Sequence, residues 1–246
     1  VPEDKQRDVA EALADLGRIR QSEGRWDAVV PLLEKRIEVE MDPEERLGLR
    51  RQLAEVFAGP LEDAERATSA LEGVLEEAPE DLEAIGALEP LYEQAERWDD
   101  LRGLLDRRLE IATSDEERVA ARVRLARLME KAFGKRDEAM SQLREILEID
   151  PSNGEALDEL GRLLEAEESW DELAELLERR ADDAAALGDV ATQKGFLVRL
   201  AGLHEEQRED LAAAGAALDR VLTLDPQDVA AVERLAGLHE AQGEWA

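Results

Sequence analysis

The sequence predicts an all-α protein, a superhelix of about seven antiparallel helix pairs with the last pair incomplete. Three observations predict it. Trp26, Trp98, Trp170 and Trp245 stand 72, 72 and 75 residues apart. Pro79, Pro151 and Pro226, each after an acidic residue or Ala, repeat the spacings of 72 and 75. A Leu, mostly followed by a small residue and then by an apolar one at the third place, recurs at Leu16, Leu53, Leu88, Leu125, Leu160, Leu200 and Leu235. The last series halves the first two, so each long period holds two helix pairs, and LAGLHE appears in register at 200–205 and 235–240. Both long series gain three residues at the final step, which places an insertion between Arg180 and Leu200 and is expected to enlarge the turn near Ala185 to Asp189.

Within each half-period the apolar residues fall three and four apart, as at Leu173, Leu176 and Leu177, with charged residues between them. This is the pattern of an amphipathic helix, and strand-like alternation is nearly absent. Helix starts are expected where a side-chain oxygen precedes an acidic first turn, as at Asp42-Pro43, Ser114-Asp115 and Asp225-Pro226. The expected helices span about 4–23, 27–40, 43–58, 61–77, 81–95, 98–112, 115–132, 136–149, 152–167, 170–186, 189–207, 210–224 and 228–241. They pair into repeats at 4–40, 41–79, 80–113, 114–151, 152–187, 188–226 and a truncated 227–246. One such pair cannot bury its own apolar face, so neighbours stack, and 1–246 is predicted to be a single array with no internal domain boundary. Pro90, inside a first helix, is expected to kink or shorten it by removing a backbone donor.

These residues resemble the tetratricopeptide repeat, whose first helix carries Trp, Leu-Gly and Tyr and whose second carries Ala, an aromatic and a terminal Pro. Leu16-Gly17 and Leu160-Gly161 fit the Leu-Gly pair, while Phe57 and Tyr92 fall at the Tyr. Ala67, Ala139 and Ala214 fit the small residue, followed four positions on by Leu71, Leu143 and Leu218 and closed by Pro79, Pro151 and Pro226. The alternate copies depart from the pattern. They carry Val29, Leu101 and Leu173 at the small position, open the second helix on Trp, and lack the Pro. The resemblance implies a right-handed solenoid whose first helices line a concave groove, and a role in holding other proteins.

Composition narrows the function. With 31 basic and 62 acidic residues the net charge is −31, which excludes phosphate-gripping nucleic-acid binders and docking on anionic lipid. No apolar run approaches membrane-span length and the start lacks a basic leader, so a cytoplasmic location is favoured while the compartment stays open. There is no cysteine, hence no disulfide, thiol nucleophile or Cys-ligated zinc. Neither a glycine-rich phosphate loop nor a metal-ligand spacing occurs, so no catalytic residue, metal or cofactor is expected and the chain is read as a non-enzyme. The Trp residues are expected to wedge between the two helices of their own pair. His204 and His239, at equivalent positions of successive first helices, are expected to be packing residues, with a metal or pH-sensitive role as the alternative.

The candidate partner-binding residues lie on the groove side that the resemblance implies: Arg51, Arg124, Arg127, Arg162, Arg199 and Arg234, with Tyr92 beside the irregular Pro90 helix. Arginine presents a planar fork suited to partner carboxylates, although pairing with acids on the same helix, such as Arg162 with Glu165 or Arg199 with Glu205, competes with that role. The function read from the sequence is a scaffold that binds a peptide or helix of another protein. The alternatives are a self-assembling element, joining through the end that carries Trp245, or the helical arm of a longer protein.

Overall fold

The computed structural model describes residues 3–242, with side chains described from 8 to 241. Among the described residues there are thirteen helices and no strand. They group into two compact units, 1–133 and 134–246. The first unit holds α1 (Glu3–Ser22), α2 (Trp26–Val39), α3 (Pro43–Ala58), α4 (Ala64–Glu77), α5 (Leu82–Gln94), α6 (Trp98–Ile111) and α7 (Asp115–Lys131). The second holds α8 (Arg136–Ile149), α9 (Gly154–Ala166), α10 (Trp170–Ala186), α11 (Val190–Glu206), α12 (Leu211–Leu224) and α13 (Val229–Gln242). No described helix is long and apolar enough to cross a membrane.

In each unit every helix packs on the ones before and after it in sequence. Ion pairs reveal a second order. Odd helices are tied to odd ones, by Arg51 of α3 to Glu83 of α5 and by Arg234 of α13 to Glu205 of α11 at 2.7 Å. Even helices are tied to even ones, by Arg66 of α4 to Glu34 of α2 at 3.7 Å and by Arg220 of α12 to Asp182 of α10 at 2.6 Å. Each unit therefore has two layers, with the apolar stripes meeting between them. In the first unit Val29 and Leu33 of α2 meet Leu53 and Phe57 of α3 and Ala67 of α4. In the second, Leu164, Leu173, Leu177, Leu197 and Leu218 are buried. Each such side chain removed from water contributes about 1.5–3 kcal/mol, which outweighs the few tenths that helix propensity supplies per residue.

The helix ends show why some boundaries were readable. Asp42 caps α3 by accepting the amide of Glu44, with Pro43 in the first turn. Ser114 forms a capping box with Glu117 at the start of α7. Asp225-Pro226, expected to open a helix, instead forms a turn; the residue that accepts an α13 amide is Asp228, from Ala231 at 2.9 Å. Asn153 caps α9 by accepting the amide of Ala156. The expected start of the fourth helix at 61 moves to Ala64, because Glu62 is left-handed at φ 51° and Asp63 is the cap.

The three inserted residues do not enlarge a turn. The connections α6–α7 and α10–α11 are equally short, and α10 has 17 residues where α6 has 14, so the insertion adds almost one turn of helix. Pro90 does not break α5 either: α5 has 13 residues, as does its counterpart α9, and the ring is exposed. Trp245, on which the expected end-to-end assembly rests, lies outside the described residues.

Candidate functional site

The site begins with a turn. After α5 the chain reverses through Ala95, Glu96 and Arg97, with Glu96 left-handed at φ 54° and the Arg97 amide donating back to the Tyr92 carbonyl at 2.9 Å. That backbone bond closes a helix end of the Schellman type and starts α6 on Trp98. The same turn recurs 72 residues away on either side, with left-handed Gly24 before Trp26 and left-handed Glu168 before Trp170. The side chains of Trp26, Trp98 and Trp170 are half-buried. Trp98 and Trp170 each wall a cleft.

In the first unit this cleft, of about 660 Å³, opens between α6 and α7 beside the end of α5. Its apolar wall is Trp98, Leu101, Leu105 and Leu128. Its polar rim is Arg124, Arg127 and Lys131 of α7, with Glu93 of α5. Spacings of three and four put the three cations on one face of α7. Beneath Arg124 lies Glu89, at 0% exposure. One of its oxygens accepts from Arg108 Nη1 at 2.5 Å, while the other closely faces Arg124 Nη1 without a well-aligned hydrogen bond. Arg124 also donates to Glu93 at 3.2 Å. Burial, and then the neighbouring charge of Arg127, pull the Arg124 guanidinium below its ordinary pKa.

The second unit builds the corresponding cleft, of about 420 Å³, from Trp170, Leu173 and Leu177 of α10 with Arg199 and Leu203 of α11 and Glu165 of α9. A third, of about 230 Å³, lies in the first unit beside Val29 and Leu33 and is rimmed by Gln21 and Gln52, the counterparts of Glu93 and Arg124.

Of the candidate arginines, Arg124 and Arg127 share the α6–α7 cleft, and Arg199 rims the second. The others are separate from both. Arg51 reaches Glu83, and also Asp81 at 3.5 Å, while Arg234 reaches Glu205. Arg162 pairs with Glu159 at 2.8 Å, and Glu165 binds Arg199 at 2.5 Å. The competing acids therefore belong mostly to a neighbouring first helix, preceding for Arg124, Arg199 and Arg234 and following for Arg51. Tyr92, expected to offer a contact surface, is only 6% exposed, donates to Glu72 at 3.0 Å and is covered by Arg97, 4.6 Å from the ring centre. Burial first, then the bond to Glu72, push its hydroxyl up to about 12.

His204 is buried with Nδ1 3.3 Å from Arg208, whereas His239 is exposed. Burial, then the charge of Arg208, hold His204 below the usual imidazole pKa. Among the described residues no three side chains are grouped to hold a metal. Sequence reasoning missed Glu89, Lys131 and the cleft-lining side of the Trp rings. A signal existed for Glu89, which is the one charged residue where Gly17, Ala54, Ala126, Gly161, Ala201 and Ala236 follow the Leu.

Helix pairs whose turns and clefts return at a fixed interval define an α-helical repeat protein. The repeat itself is named by comparison: a sequence profile of the tetratricopeptide repeat matches residues 12–47 and 84–119, and the chain contains tetratricopeptide repeats at these two segments. Both run from a first helix through a Trp-bearing second helix. The copies expected to depart most from the pattern are thus the ones the profile recognises. Similar solved structures include the MamA protein (15% identity over 72% of this chain and 92% of that one, TM-score 0.48). The pilF protein of Pseudomonas aeruginosa aligns at 16% identity over 98% and 100%, with a TM-score of 0.44. YrrB, described as a TPR protein with an unusual peptide-binding site, aligns at 17% over 82% and 96%, with a TM-score of 0.46. No curated protein matches.

Proposed function

We propose that the chain is a non-catalytic protein-interaction scaffold that holds a peptide or helix of a partner in the clefts beside its half-buried Trp residues. One observation carries this reading: the fold leaves an aromatic and aliphatic wall open to solvent at the same place in successive Trp-bearing pairs, next to charged groups on the following helix. An apolar floor with a few placed polar groups is what a peptide side chain needs, and a ring that keeps one face free supplies contact area at small entropic cost. Selection from a displayed random-peptide library tests it. Recovered peptides are expected to lose most of their affinity for Trp98→Ala or Trp170→Ala, read by calorimetry; peptides that bind both variants as well as the parent place recognition elsewhere.

A second reading, self-association, is favoured by a different feature. Val9, Leu16 and Ile19 form an exposed apolar row on α1. Sedimentation velocity at several concentrations separates the two readings, because assembly through this row predicts a concentration-dependent coefficient that Ile19→Asp abolishes.

A further inference from the structure

The clefts of the two units are built from equivalent positions yet carry opposite charge. Glu93, Trp98, Leu101 and Leu105 correspond, 72 residues on, to Glu165, Trp170, Leu173 and Leu177. After the three-residue insertion, Arg124 and Leu128 correspond to Arg199 and Leu203. Three lining positions differ in kind: Arg127 becomes Gly202, Lys131 becomes Glu206, and Ala132 becomes Gln207. The first cleft thus has three cations and one carboxylate on its rim, the second one cation and two carboxylates. A further difference lies underneath. Glu89, which holds Arg124 from below, has Gly161 as its counterpart, so only the first cleft has a buried group fixing its central guanidinium.

In a chain of net charge −31 such a positive rim runs against its surroundings. Arg124 and Arg127 repel one another, and part of Arg124 is withdrawn from water. Carboxylates arriving from outside offset both effects. From Arg124 to Lys131 the rim extends about 10 Å along the helix, so a single terminal carboxylate cannot reach all three cations, whereas three or four extended residues span that distance.

We propose that the cleft between α6 and α7 binds an internal acidic segment of a partner, its carboxylates pairing with Arg124, Arg127 and Lys131 and an apolar side chain seated against Trp98 and Leu101. The cleft between α10 and α11 does not accept that segment. This rests on the reading that the Trp clefts hold peptides, and it adds the chemistry of the ligand. Pairing at the rim acts within hydrogen-bond range, while repulsion by the rest of the chain acts from afar and is screened beyond about 10 Å at 0.1 M salt. Added salt therefore quickens association of an acidic ligand even as it shortens the lifetime of the complex.

The test uses three capped, fluorescein-labelled nonapeptides with a central Leu flanked by four Glu, four Lys or four Gln on each side, titrated into the full chain by fluorescence anisotropy. The Glu peptide is expected to bind about tenfold more tightly than the Lys peptide. The double substitution Arg127→Gly and Lys131→Glu, which gives this rim the charges of its counterpart, is expected to erase that preference. Gly202→Arg with Glu206→Lys is expected to add a second acid-binding site. The Lys or Gln peptide binding as tightly as the Glu peptide would overturn the inference and leave the peptide-binding reading standing. If no peptide of any charge binds, the peptide-binding reading falls and takes the inference with it.

Discussion

At the scale of single residues, the left-handed positions set the array's turns. Gly24, Glu96 and Glu168 occupy one series, and Glu62, Gly134 and Glu209 a second that shares its period. A side chain at positive φ is strained, and a Cβ on Gly24 would meet nothing within 4 Å, so the cost of Gly24→Ala is purely conformational. It is expected to be about 1 kcal/mol, with Glu96→Gly gaining a similar amount, both read from urea unfolding. Glu89→Ala is expected to cost about 2 kcal/mol. That is less than for a fully buried pair, because Arg108 and Arg124 are about a third exposed and can turn to water. Tyr92 is the chain's only tyrosine, so its ionisation is read cleanly by absorbance. The phenol's folded pKa of about 12 exceeds the unfolded value of 10. The stability linked to it is therefore full below pH 10 and lost as pH rises from there toward 12. A folded-state titration centred near pH 10 would contradict the buried Tyr92–Glu72 bond.

At the scale of elements, helices were legible because their apolar spacing is intrinsic to the chain, whereas their ends depend on which oxygen finds which amide. Ser114 and Asp42 could be recognised since each stands directly before its helix; at Asp150 and Asp225 the same motif builds a turn two or three residues early. The span of α10, expected at 170–186, was legible, but where the three inserted residues go was not, as Ala184, Ala185 and Ala186 suit an extra turn of helix as well as a loop. Ser114→Ala is expected to destabilise by about 1 kcal/mol. The Glu117 carboxyl, held below its usual pKa first by the Thr113 amide, then by the Thr113 hydroxyl and the Ser114 amide, links this cap to pH. Its contribution is complete above the ordinary carboxyl range and disappears as pH falls through the lowered value. Exchange protection of the Thr113 and Ser114 amides is expected to fall over that acidic window and to be flat in Glu117→Ala.

For the whole molecule, charge arithmetic decides the response to salt. At most 31 of the 62 acids can be matched one to one by basic groups, so the remainder repel even though the layers are laced with ion pairs. Exposed pairs contribute about 0–1 kcal/mol each and weaken with salt, while the unmatched repulsion is relieved by it. The melting temperature is therefore expected to rise between low salt and about 0.1 M NaCl; a flat or falling curve would show the pairs to dominate. The repeat architecture was legible from Trp, Pro and Leu spacing alone, but the cleft was not. Its members come from three helices separated by short turns, and its charge depends, beside the expected Arg124 and Arg127, on Lys131, which looks like an ordinary surface residue until its counterpart Glu206 stands beside it.

The two alternating turns have a practical consequence. Because identical corners come back only after four helices, the unit that can be excised without scrambling neighbours is the quartet, not the single hairpin. Removing residues 24–95 joins Glu23 to Glu96 and preserves the corner that leads into a Trp-bearing helix. A deletion half that size fuses unlike corners and presents mismatched surfaces, so shortened versions of this protein should be cut in whole quartets, 72 residues long before α10 and 75 across it.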